Sequence, residues 1–180
     1  MIDEILKYNR DYVARKGYEE HVTDKYPDKR LAILTCMDTR LTKLLPDALG
    51  LKNGDAKLIK NAGGLISDPW GNEIRSLLVA IFELHCNEVM VIHHTHCGAA
   101  HMNAASMIEK MKEHGISEQV IVNAHKNAFD FDAWLEGFGD TEESVRRTVA
   151  IISEHPLIPD DVTVRGFIID SMTGELKEVK

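Results

Sequence analysis

Short apolar runs at Leu31-Ala32-Ile33-Leu34-Thr35, Glu88 to His93 and Val162 to Ile169 punctuate the chain. All three read as strands, and the unbroken run Leu31 to Thr35 suits a strand covered on both faces, as in a parallel sheet. Ala56-Lys57-Leu58-Ile59-Lys60 is a further strand candidate, and the turn Thr173-Gly174 leads into a last short one, Leu176 to Val179. Between the strands the apolar positions change period. Ile74, Leu77, Leu78, Ile81, Phe82 and Leu84 recur at helical spacing and predict an amphipathic helix. A shorter helical piece, Leu41 to Leu49, is stopped by Gly50, with Asn53-Gly54-Asp55 as a turn. Residues 99–114 and 118–136 read as two helices, the second opened by Ser117 as N-cap. Gly137-Phe138-Gly139 breaks the chain, and Asp140-Thr141-Glu142-Glu143 has the spacing of a cap for a helix carrying Val145, Val149 and Ile152. His155-Pro156 and Pro159 end it. Residues 2–22 predict a polar, charged helix whose stripe (Ile2, Ile5, Leu6, Tyr12, Val13) is thin for a core element; it packs on the outside of the domain or on another subunit.

Strands that alternate with helices predict an α/β fold, a mainly parallel central β-sheet flanked by helices with an edge strand near the C-terminus. A length of 180 residues without linker, repeat or low-complexity tract predicts a single domain, residues 1–180, with 1–25 as an N-terminal helical arm.

Composition narrows the partners. The net charge of −8 leaves no basic face for phosphates and argues against nucleic acid. The apolar runs fall far short of the ~18 residues that span a bilayer, and Met1-Ile2-Asp3-Glu4 does not begin a secretion signal. Neither a membrane partner nor export is expected. Three cysteines, an odd number with no CxxC, point to free thiols in a reducing, cytoplasmic setting. Without a GxGxxG or GxxxxGK[ST] motif, Gly63-Gly64 is weak as a phosphate loop.

The chemistry gathers at predicted strand ends, where α/β sheets bind ligands. Cys36, Asp38 and Arg40 follow the first strand, Asn61, Gly63 and Gly64 the second, and His94, Cys97 and Gly98 the third. Two thiolates and one imidazole suit Zn2+ and leave a fourth position open. Taken singly, Cys36 reads more simply as a small buried residue; the joint occurrence at two strand ends raises the metal reading. Asp38 and Arg40, each two residues on from the last, would share a side of an extended segment and form a bidentate pair. Paired, Asp38 is an acceptor beside the metal; unpaired, it would coordinate the metal itself. His96 and His101 are candidates for moving a proton, His93 reads as packed, and so does Cys86.

The motifs Cys36-Met37-Asp38-Thr39-Arg40, Asn61-Ala62-Gly63-Gly64 and His94-Thr95-His96-Cys97-Gly98 together resemble the β-class carbonic anhydrases. The likeness continues through His155 to Pro159 and Thr173-Gly174 and is to the shorter prokaryotic branch. The glutamine that plant-type members carry ahead of the first zinc cysteine has no counterpart in Lys25-Tyr26-Pro27-Asp28. The resemblance implies zinc held by Cys36, His94 and Cys97, with Asp38 and Arg40 as the adjoining catalytic dyad and Gly98, Gly63 and Gly64 near the substrate. It implies reversible hydration of CO2 to bicarbonate and a proton by a zinc-bound hydroxide, in a homodimer or dimer of dimers whose N-terminal helix reaches onto the partner. Two other readings of the same motifs are a COS or CS2 hydrolase and a non-catalytic zinc-binding regulatory protein.

Overall fold

The computed structural model describes residues 1–126 and 130–180. Five strands form one sheet in the order β2-β1-β3-β4-β5. They are β1 (Leu31–Cys36), β2 (Ala56–Asn61), β3 (Glu88–His94), β4 (Thr163–Ile169) and β5 (Leu176–Val179). The first four are mutually parallel, and β5 closes the edge antiparallel to β4. That is the predicted α/β architecture, C-terminal edge strand included.

All six residues of β1 are buried, as a run without alternation requires of a strand covered on both faces. Its side chains divide with period two. Ala32 and Leu34 join Val89 and Val91 of β3 beneath helix α3 (Asn72–Phe82) and helix α7 (Thr141–Ser153). Leu31 and Ile33 join Ile92, Phe167 and Ile169 beneath helix α2 (Leu41–Ala48). Helix α7 lies so close to β4 that a Cβ on Gly166 would stand 2.4 Å from Val145 Cγ1. A glycine at that position is what lets the helix seat.

Three helical predictions need correction. Residues 99–114 do not form one helix: a 3-10 turn, Gly98–His101, precedes α4 (Ala104–Glu113), because the Asn103 side chain accepts from Ser106 N and starts a new helix there. Likewise 118–136 divides into α5 (Glu118–His125) and α6 (Phe131–Leu135), the latter capped by Asp130. Positions 127–129 of that prediction lie outside the described residues. Ser117 holds the N-cap position of α5 without a side-chain hydrogen bond, whereas Asp140 caps α7 as expected, accepting from Glu143 N at 2.8 Å. The N-terminal helix α1 is shorter than predicted, Ile2–Ala14, and none of its residues is buried.

Candidate metal centre

Strands β1 and β3 are neighbours in the sheet, with Thr35 level with Ile92, so their carboxyl ends open side by side. Cys36 is the last residue of β1, His94 the last of β3, and Cys97 follows three residues later. Their ligand atoms lie within 4.8 Å of one another and all three residues are buried. The two sulfurs are 3.8 Å apart. Two thiolates bound at about 2.3 Å to one tetrahedral ion stand about 3.8 Å apart, so the spacing fits zinc without rearrangement. His94 donates from Nδ1 to the Thr95 carbonyl at 2.9 Å, which leaves its Nε2 lone pair facing the sulfurs. That Nε2 is buried and has no hydrogen-bond partner. A buried acceptor with nothing to accept is costly, and a cation at this point would satisfy it.

The sulfurs differ in character. The Cys97 thiol, 3.8 Å away, pulls the Cys36 pKa down against the effect of burial. The thiolate so formed, together with burial, pushes Cys97 up, although the N–H groups of Ala99 and Ala100 oppose this. The pair on its own therefore keeps one proton, which a cation would displace.

Asp38 and Arg40 meet at the mouth of this cluster, though not through the extended geometry anticipated. The strand ends at Cys36, and the chain turns: Arg40 N donates to Asp38 Oδ1 at 2.9 Å, while Arg40 Nε and Nη2 donate to Oδ1 and Oδ2 at 2.9 and 2.8 Å. The guanidinium is itself anchored, donating from Nη2 to the His96 carbonyl at 2.9 Å. Arg40 holds the Asp38 carboxyl well below the usual carboxylate range, with burial opposing. Asp38 Oδ2 is 3.8 Å from His94 Nε2, near enough to serve the site and held back from it.

Gly98 is exposed, with nothing within 4 Å of where a Cβ would stand. Gly63 and Gly64 are buried in the turn after β2; the Gly64 carbonyl lies 3.1 Å from His93 Nε2, and a Cβ on Gly64 would stand 2.8 Å from Cys36 N. His96 and His101 are both exposed, and Cys86 is a buried free thiol.

Sequence reasoning missed the supports of His94. The Thr95 carbonyl that orients its ring also accepts from Ser171 Oγ at 3.0 Å, and Ser171 N donates to Thr95 Oγ1 at 3.0 Å. No motif spacing links positions 76 residues apart; only the adjacency of β3 and β4 does.

The sequence model of a family described as carbonic anhydrase matches residues 31–176. YvdA of Bacillus subtilis, which carries a provisional carbonic anhydrase name, is 48% identical over 175 residues, covering 97% of this chain and 89% of its own. The crystal structure of β-carbonic anhydrase isoform I from Trichomonas vaginalis superposes with a TM-score of 0.91 at 32% identity, covering 99% of this chain and 97% of that one. A carbon disulfide hydrolase of Acidithiobacillus thiooxidans is 33% identical over 158 residues, 83% of this chain and 77% of its own.

Proposed function

The chain belongs to the carbonic anhydrase family, and from that premise we propose that Cys36, His94 and Cys97 hold the zinc ion with which it hydrates CO2 to bicarbonate and a proton. When bound, zinc supplies the Lewis acidity that makes water ionisable near neutral pH. The remaining work is that of the chain. Asp38, ionised and gripped at both oxygens by Arg40, accepts the hydrogen of the attacking oxygen and so turns its lone pair towards the carbon of CO2. Arg40 keeps Asp38 from becoming a fourth ligand, and the fourth position stays available for chemistry. Gly98, with open space over its Cα, leaves room for a small linear substrate and offers its backbone N–H to hold it. Gly63 and Gly64, in the turn after β2, complete the substrate-binding set with Gly98. The proton leaves by way of exposed His96 or His101 or directly to buffer.

The observation that carries this reading is the Asp38–Arg40 pair poised beside three convergent donors. A purely structural zinc site needs a closed fourth position and no such clamp. The test is stopped-flow CO2 hydration from about pH 6.5 to 9 on protein with its zinc counted. One zinc per chain and a rate that rises with pH are expected, together with loss of both metal and rate in Cys97→Ala. A zinc-free Cys97→Ala protein with undiminished turnover would sink the reading. The similarity to a carbon disulfide hydrolase favours a second reading in which CS2 or COS is the substrate, and the same protein supplied with CS2 separates the two.

The single-domain organisation of residues 1–180 and the arm at 1–25 belong to the same proposal. Ile2, Ile5, Leu6, Tyr8 and Val13 of α1 are all more than half exposed, an apolar face that a second copy of the chain would cover in a homodimer or dimer of dimers. No helix among the described residues is long and apolar enough to cross a membrane. With three free cysteines, we place the enzyme in the cytoplasm.

A further inference from the structure

Four non-glycine residues among those described have positive φ, and one of them, His96 at +55°, lies between the cluster residues His94 and Cys97. Left-handed backbone is uncommon outside glycine, although asparagine, aspartate and histidine enter it more readily than other residues. Where it persists in an ordered segment, the surroundings hold it there, and such positions gather at functional sites. The His96 imidazole is exposed. Its main chain is the part that meets the site.

Two successive carbonyls flank this left-handed residue, and each accepts from a side chain of the cluster. The Thr95 carbonyl accepts from His94 Nδ1 at 2.9 Å, and the His96 carbonyl from Arg40 Nη2 at 2.9 Å. An extended strand sends successive carbonyls to opposite sides. The positive φ of His96 breaks that alternation, so one short segment serves both the metal-facing histidine and the dyad.

The His96 carbonyl gives Arg40 what Asp38 cannot. Asp38 and Arg40 sit two residues apart in one turn and bond to each other, so the two side chains could swing as a unit without parting. His96 belongs to the segment after β3, 56 residues along the chain. Among the described residues it is the only partner of the guanidinium outside that turn. The two hydrogens of Nη2 are thereby divided, one to Asp38 Oδ2 at 2.8 Å and one to the His96 carbonyl.

We propose that His96 is a positioning residue that acts through its left-handed backbone: its carbonyl fixes the direction of the Arg40 guanidinium, and with it the place of Asp38 beside the metal. The proposal rests on the reading of Cys36, His94 and Cys97 as a zinc site served by Asp38.

The direct test is the proton spectrum of protein labelled with nitrogen-15 arginine, with Arg40 assigned by its loss in Arg40→Ala. With both Nη2 hydrogens engaged, wild type should show two separate Nη2 proton signals. A single averaged signal would overturn the proposal. In His96→Val, whose β-branched side chain disfavours positive φ, the two signals should merge. In His96→Gly, which adopts positive φ freely, they should stay separate although the ring is gone. Merging in both variants would assign the effect to the ring, and separation in both would show that Arg40 does not depend on this backbone; either result refutes the proposal. Rates are compared between His96→Asn and His96→Val, since neither has an imidazole to move a proton. At equal zinc per chain, His96→Asn should hydrate CO2 on the order of 10-fold faster than His96→Val, and equal rates count against the proposal. If His96→Val does not fold, His96→Ala takes its place in both comparisons. Wild-type protein that neither binds zinc nor hydrates CO2 would defeat the functional reading, while the Arg40 signals, readable without metal, still decide the backbone role.

Discussion

Arg40 meets Asp38 through its main chain and through two guanidinium nitrogens, and this redundancy separates a poised carboxylate from a metal ligand. Because Asp38 is depressed, its pairing contributes stability above the ordinary carboxyl pKa near 3.9 and loses it only as pH falls through the lower folded value. Protonation of Asp38 therefore cannot produce an acid limb of activity between about pH 5 and 7. Asp38→Ala should keep one zinc per chain by metal analysis and lose hydration on the order of 100-fold or more. Arg40→Ala frees a carboxylate already 3.8 Å from His94 Nε2. It should retain zinc, lose most activity and show an added oxygen ligand by X-ray absorption. The pairing of these two residues was legible from spacing alone. Its geometry was not, since a turn after Cys36 replaces the extended segment that spacing suggested.

At the scale of elements, the short apolar runs of β1, β3 and β4 and the period of α3 could be read in one dimension because apolar residue types recur there at strand or helix spacing. The stretch 99–136 could not, because Asn103 and Asp130 restart helices through local hydrogen bonds while α4 and α6 pack around Ala104, Phe131 and Leu135 in a small cluster of their own. Helix α7 depends on a single missing side chain. Gly166→Ala would press a methyl into Val145 and should destabilise the fold by about 1–3 kcal/mol. The urea midpoint should fall at constant slope, with zinc content unchanged in the folded protein.

At the scale of the whole molecule, helix α1 leaves exposed the apolar face that the proposed second copy would cover. Helix α1 buries nothing, and isolated helices of its length are marginal in water, so a partner surface is the natural source of its order. Deletion of residues 1–25 should convert the assembly to monomers in light scattering at micromolar concentration. A truncated chain of unchanged mass multiple would place the interface elsewhere.

Fold class, strand order along the chain and the three residues of the candidate metal cluster were all legible in the sequence, because burial periodicity and donor chemistry are properties of residue type and spacing. The tertiary structure alone decided what those donors rest on. Ser171 reaches Thr95 because β4 lies beside β3, and the Gly64 carbonyl meets His93 because the turn after β2 lies over the end of β1, which is level with β3. The physical reason is that a hydrogen bond between distant positions depends on which strands the sheet makes neighbours. That choice is made by packing, and spacing along the chain does not carry it.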